Sequence, residues 1–269
     1  MKIPTVPKAS RLFDSAAKQT PGQAAMAITS RLHEVVVGFP NFDKLDAFTA
    51  AMTKTLIDRD QVKQSLGRIN GVQRTVRRLG HLPKKEFLGR LKSVLAKLET
   101  PLTILNDARA VLRRLPDPTI SFTVCLAGFP NAGKSTLLKA LTGAGAQIAA
   151  YEFTTKSLNY GTTEVRHHTV QIVDTPGTLN REKTNPIERQ AQLALEFLAK
   201  AIVFVYDPQR DDDSQAALFA KVRNELPLVI YASKQDLGSK LPNFAKGTPV
   251  FTAPQQILEW LEPLVVEKK

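Results

Sequence analysis

With one cysteine in 269 residues, Cys125 has no partner within the chain. An internal disulfide framework is therefore excluded, and a reducing compartment fits. Cys125 lies in an apolar, strand-like run, which suits buried packing rather than a reactive thiol. Long hydrophobic runs are lacking too. The longest, residues 201–206, falls far short of the ~20 residues that cross a bilayer. The opening MKIPTVPKASRLF has no apolar stretch of secretory length. No membrane partner is expected, and the cytoplasm is the expected address. Repeats and low-complexity tracts are absent as well. Acid is scarce in one half only: residues 1–120 hold 21 Lys+Arg against 10 Asp+Glu, whereas residues 121–269 hold 16 against 15. Nearly all of the net charge of +12 thus sits in the first half, which points to a polyanionic partner there. What is plentiful is apolar material, at 43% enough to bury a sizeable core.

Up to residue 115 the apolar residues recur every three or four positions. One stripe runs Leu45, Phe48, Met52, Thr55, Val62, Leu66, Ile69 and Val76, interrupted by Arg59 and Gln73. A second runs Leu88, Leu91, Leu95, Leu98, Leu102, Leu105 and Leu112. This period predicts amphipathic helices, residues 22–37 predict another, and adjacent stripes predict an antiparallel bundle. Asn70-Gly71 and Pro101 are expected to bend or end helices. Pro116-Asp117-Pro118 reads as a linker. Beyond it, β-branched or aromatic runs at 122–127, 169–173, 202–206, 228–232 and 250–252 alternate with helical patterns such as 188–200 and 214–226. The expected architecture is a basic all-α bundle over 1–118 and an α/β domain over 119–269. In the latter, a mostly parallel sheet has helices on both faces and a ligand site at its carboxyl edge.

The chemistry-bearing motifs fall on that edge. The first strand runs into Gly128-Phe129-Pro130-Asn131-Ala132-Gly133-Lys134-Ser135-Thr136, a phosphate-binding loop between a strand and a helix. Its glycines let backbone N–H groups approach phosphate oxygens, Lys134 reaches the β- and γ-phosphates, and Ser135 is a ligand for Mg²⁺. About forty residues on, a strand ends in Asp174-Thr175-Pro176-Gly177. Asp174 supplies the carboxylate of the Mg²⁺ shell and Gly177 an N–H for the γ-phosphate. Between them, Tyr151-Glu152-Phe153-Thr154-Thr155 is placed as a first switch, with Thr155, ahead of Thr154, completing the metal sphere when a γ-phosphate is present. Ser233-Lys234-Gln235-Asp236 follows a later strand. Asp236 can accept from guanine N1–H and N2–H, Lys234 can lay its stem over the base, and Ser233 stands where GTPases usually carry Asn. Thr252-Ala253 offers a backbone N–H to guanine O6. Thr178 occupies the place of the usual water-orienting Gln, so unaided hydrolysis is expected to be slow. His167-His168 reads as a solvent-facing turn, and Asp211-Asp212-Asp213 as an acidic helix start.

GFPNAGKST, YEFTTKSLNYG and DTPG together resemble the Obg-like GTPases. The helical first half resembles the nucleolar GTP-binding protein (NOG) branch in character and position. The resemblance covers about residues 121–253 by motif. It implies GTP hydrolysis coupled to large ribosomal subunit assembly, with GTP/GDP, ribosomal RNA and a large-subunit precursor as partners and Mg²⁺ as cofactor. The chain looks like a short, archaeal-type relative and is expected to be a monomer. In potassium-activated members of the superfamily the Asn131 position helps hold a K⁺ ion. A turn-forming Asn is an equal alternative. Glu152 replaces a frequent proline, and Ser233 departs from the guanine motif. Two rival readings remain: an adenine-nucleotide P-loop ATPase or kinase, and an RNA- or protein-binding scaffold with vestigial hydrolysis.

Overall fold

The computed structural model describes residues 3–143, 158–176, 186–223, 225–237 and 240–266. Its contacts divide the chain into two units, Met1–Asp46 with Leu56–Leu115, and Ala47–Thr55 with Pro116–Lys269. The first unit is helical: α1 (Ala9–Ala17), α2 (Pro21–Gly38), α4 (Arg59–Leu79), α5 (Lys84–Ala96) and α6 (Glu99–Leu112). Leu32, Val35, Ile69, Val76, Leu91 and Leu105 are fully enclosed in one apolar cluster, all at helical spacing. The side chain of Asp58 caps α4 by accepting from the Asp60 and Gln61 N–H groups, at 3.1 and 3.0 Å.

Two expected breaks turn out differently. Helix α4 runs unbroken through Asn70-Gly71, because Ile69 and Val76 bury its core face and outweigh the ~1 kcal/mol that an interior glycine costs. Pro101 sits in the first turn of α6, where a missing N–H is harmless, and the break lies just before it at Lys97-Leu98. Helix α1 carries only two buried apolar residues, Leu12 and Ala16, too few to register as a period in the sequence. The first stripe is also divided. Phe48 and Met52 of α3 (Ala47–Leu56) are buried but lie outside the helical cluster, and nearly all of α3 belongs to the second unit.

The second unit holds a six-stranded sheet in the order β2-β3-β1-β4-β5-β6. The strands are β1 (Phe122–Ala127), β2 (Asn159–Val165), β3 (His168–Asp174), β4 (Ala199–Tyr206), β5 (Leu228–Ala232) and β6 (Val250–Phe251). All pairings are parallel except β2 with β3. Sequence reasoning missed β2, whose NYGTTEV has no apolar alternation and buries only Gly161 and Val165. The hairpin turn is Arg166-His167, both at positive φ, and His168 already belongs to β3. Helices α7 (Lys134–Thr142), α8 (Pro186–Phe197), α9 (Asp212–Val222) and α10 (Pro254–Val266) complete the unit. Helix α8 ends before residue 200 because Ala199 and Lys200 open β4.

Strand residues alternate between two apolar layers. Val124, Leu126, Val203 and Val205 pack with Leu137, Leu141, Ile257 and Leu261, while Ile202, Phe204 and Ile230 pack with Leu218 and Phe219. Cys125 is enclosed within β1, and burial pushes its thiol up to about 12, as suits a packing residue. Before β1, the Asp117 N–H donates to Gln171 Oε1 at 2.8 Å, and Gln171 Nε2 donates to Thr123 Oγ1 at 3.2 Å. This buried glutamine fixes where the chain enters the sheet. Among the described residues, no helix is long and apolar enough to cross a membrane.

Candidate functional site

The carboxyl ends of β1 and β3 lie side by side, with Leu126 opposite Asp174. From β1 the chain turns through the phosphate loop into α7. Gly128 has φ +149°, and a Cβ there would meet the Val205 carbonyl oxygen at 2.6 Å, so only glycine lets the loop leave the sheet this close to β4. Asn131 takes a left-handed φ of 64°, a conformation that Asn tolerates better than most residues and that supports its turn-forming role. Gly133, at φ +94°, opens α7. Pro130, Asn131, Ser135 and Thr136 are exposed, while Phe129, Ala132 and Lys134 are buried.

Three polar side chains meet at this corner: Lys134, Ser135 and Asp174. Lys134 Nζ donates to the Phe129 carbonyl at 2.7 Å. Burial lowers the lysine below its ordinary range, and Asp174 offsets this in part. Ser135 Oγ donates to Asp174 Oδ2 at 2.5 Å. Burial raises the Asp174 carboxyl, while its bonds to Ser135 and Asn159 and the charge of Lys134 pull the other way. A hydroxyl and a carboxylate converging beside a buried lysine are hard oxygen donors suited to Mg²⁺. Asn159, on the unforeseen strand β2, faces Asp174 in register and steadies it. Thr175 was also missed: its N–H and hydroxyl both donate to the Leu126 carbonyl, at 3.2 and 2.7 Å, which pins the end of β3 against β1.

The residues expected to read the base follow β5 and β6, at the other side of the sheet. A Cβ on Gly133 would lie 3.3 Å from the Ser233 Cβ, so the phosphate loop and the end of β5 are in near contact. Ser233 stands at the end of β5, where GTPases usually carry Asn. Its buried hydroxyl donates to the Tyr206 carbonyl at 2.8 Å, tying β5 to β4. Lys234, at φ 53°, forms a 2.7 Å ion pair with Asp207. Asp207 is a hub that the sequence did not reveal: its backbone exchanges hydrogen bonds with Gln215, at 2.9 and 3.0 Å, and its carboxylate also accepts from the Gln209 N–H. Asp236 is exposed on the short turn Gln235–Leu237. Thr252 and Ala253 follow β6, and their N–H groups both meet the side chain of Gln256.

Arg210, another residue that the motifs did not reveal, stacks its guanidinium 4.4 Å over the Phe129 ring. Asp211 caps α9 by accepting from the Ser214 N–H at 2.7 Å, as an acidic helix start should. Phe153, Thr154, Thr155, Gly177 and Thr178 lie outside the described residues.

Two families match this chain. Residues 123–234 match the family described as 50S ribosome-binding GTPase, and residues 8–82 match the NOG1 N-terminal helical domain. An uncharacterised protein of Methanocaldococcus jannaschii is 35% identical over 237 residues, which is 79% of this chain and 67% of that protein. The nucleolar GTP-binding protein 1 of Drosophila melanogaster is 31% identical over 234 residues, 77% of this chain and 36% of that protein. The chain thus spans about two thirds of the archaeal relative and about a third of the fly one. Among solved structures, the G domain of the T. maritima FeoB iron transporter is 26% identical, with a TM-score of 0.43 over 54% of this chain and 97% of that one.

Proposed function

The chain belongs to the nucleolar GTP-binding protein 1 family of P-loop GTPases, and from that premise we propose that it is a GTP- and Mg²⁺-dependent switch acting on ribosomal RNA in large-subunit precursors. The observation that carries the nucleotide half is the corner where Ser135 Oγ and Asp174 Oδ2 meet at 2.5 Å beside the buried Lys134. Those two oxygens would hold Mg²⁺, which neutralises charge on the phosphate oxygens. Lys134 exchanges the Phe129 carbonyl for a phosphate oxygen, and the loop N–H groups cradle the same phosphates. Asp236 accepts from guanine N1–H and N2–H. Thr155 and Gly177 report the γ-phosphate, and Asn131 is the proposed ligand for a K⁺ ion. In hydrolysis the oxygen of water bonds to the γ-phosphorus, the bridging oxygen leaves on GDP, and the proton goes to the released phosphate.

The charge on α4 and α5 supports the RNA half. Arg68, Arg74, Arg77, Arg78, Lys84 and Lys85 are all exposed. Arg74, Arg77 and Arg78 are spaced to share a helix face, where their mutual repulsion is relieved by a phosphate backbone. The one acid between residues 61 and 98, Glu86, is engaged by Arg90 at 2.7 Å. Replacing Arg74, Arg77 and Arg78 together with Glu is expected to release the protein from ribosomal particles in co-sedimentation while leaving GTP affinity unchanged. Normal co-sedimentation of this variant at physiological salt would reject the face as the docking surface.

A further inference from the structure

One of the protein's own side chains occupies the donors proposed to read guanine. Oε1 of Gln256 accepts from the Thr252 N–H and from the Ala253 N–H, each at 3.0 Å. An amide oxygen on this pair of donors presents what the 6-oxo group of guanine presents, an sp² oxygen with two lone pairs. Resting on the guanine reading above, we propose that Gln256 is a specificity-determining residue, an internal stand-in for guanine O6. It holds both N–H groups satisfied when no base is bound and must swing aside for a 6-oxopurine to be read. Gln256, Thr252 and Ala253 are all exposed, so the side chain has room to leave. The helix behind it does not have to move, since Ile257 and Leu261 anchor α10 in the apolar layer under the sheet. Asp236 is exposed and takes the N1–H and N2–H edge, so the two contacts read different atoms of the base.

Gln256 is also the third residue of α10 counted from Pro254, and a side chain there that reaches back to the helix start is half of a capping box. Capping and competition predict different results for one substitution. Gln256→Glu puts a charged acceptor in the first turn, which a pure cap tolerates or welcomes. In the competing role the carboxylate grips the same donors more firmly and sets negative charge against the incoming O6.

The test titrates the full chain, unmodified and as Gln256→Glu and Gln256→Ala, with GTP, ITP and ATP, alongside thermal unfolding without nucleotide. Charge-assisted bonds being about twice as strong as neutral ones, Gln256→Glu is expected to weaken both GTP and ITP about tenfold, to leave ATP unchanged and not to lower the melting temperature. Gln256→Ala is expected to lower the melting temperature while GTP binds no more weakly, and up to about threefold more tightly, because the displaced competitor is gone. GTP and ITP affinities within twofold of the unmodified chain in Gln256→Glu would leave a cap and nothing more. ATP bound as tightly as GTP by the unmodified chain overturns the guanine reading itself, and this inference with it, before any variant is made.

Discussion

Gly128 is the residue whose replacement should separate the phosphate loop from the rest of the fold. A methyl group at its Cβ position would lie 2.6 Å from the Val205 carbonyl oxygen and 3.4 Å from the Val205 Cβ. The first distance is shorter than any ordinary carbon–oxygen contact, and the obstacle is backbone of an inner strand, which cannot rotate away. The φ of +149° adds a conformation that L-residues avoid, at roughly 1–3 kcal/mol. Overpacking against β4 adds about as much again, so Gly128→Ala should cost roughly 2–6 kcal/mol in total. If the loop moves to relieve it, the loss appears in GTP affinity at about tenfold per 1.4 kcal/mol; if the sheet yields, it appears in the melting temperature. Gly143→Ala is the control: φ is +67° there too, but nothing lies within 4 Å of the added carbon. Nucleotide titration and thermal unfolding of both variants would decide. Gly128→Ala matching Gly143→Ala in both measurements would refute the steric reasoning.

Three further outcomes are expected. Burial raises the Asp174 carboxyl, so the ligand-free protein loses stability as pH rises through that raised value. Asp174→Asn should remove this loss in thermal unfolding and also abolish the Mg²⁺ dependence of GTP binding; an unchanged pH profile would contradict the assignment. Replacing K⁺ with Na⁺ at fixed ionic strength should slow single-turnover hydrolysis, and Asn131→Ala should erase that difference while GDP still binds; a chain indifferent to the cation would remove Asn131 from the mechanism. Gly67 and Gly71 lie four apart on an exposed strip of α4 with open space around them, so Gly→Ala at each should stabilise the chain by up to about 1 kcal/mol. A fall in melting temperature would show that the helix needs the glycines.

Where one residue's chemistry and its neighbours in sequence suffice, the fold was legible before the structure. The β1–loop–α7 unit combines an apolar strand, glycines and a lysine in continuous order, and its strand bounds coincide with those expected. The stripe from Leu91 to Leu112 likewise declares its buried face by period alone. What stayed hidden depends on partners distant in sequence. Strand β2 is held by its ladder to β3 rather than by its own composition, so Asn159 was invisible as a partner of Asp174. In the sequence Ser233 shows only as a departure from the guanine motif; its bond to the Tyr206 carbonyl, a tie between β5 and β4, needs the fold. Asp207 and Gln256 carry no motif; only the folding of β4, β5 and α10 brings them to Lys234 and Ala253.

The proposed guanine-nucleotide switch requires both base discrimination and a Mg²⁺ site, and calorimetric titration of the full chain with GTP and with ATP, each with and without Mg²⁺, addresses both. Two charge-assisted bonds from Asp236, at roughly 1.5–3 kcal/mol each, should favour GTP over ATP by about a hundredfold or more. Mg²⁺ should tighten GTP in the unmodified chain but not in Asp174→Asn. Comparable affinity for ATP, or GTP binding indifferent to Mg²⁺, would contradict it.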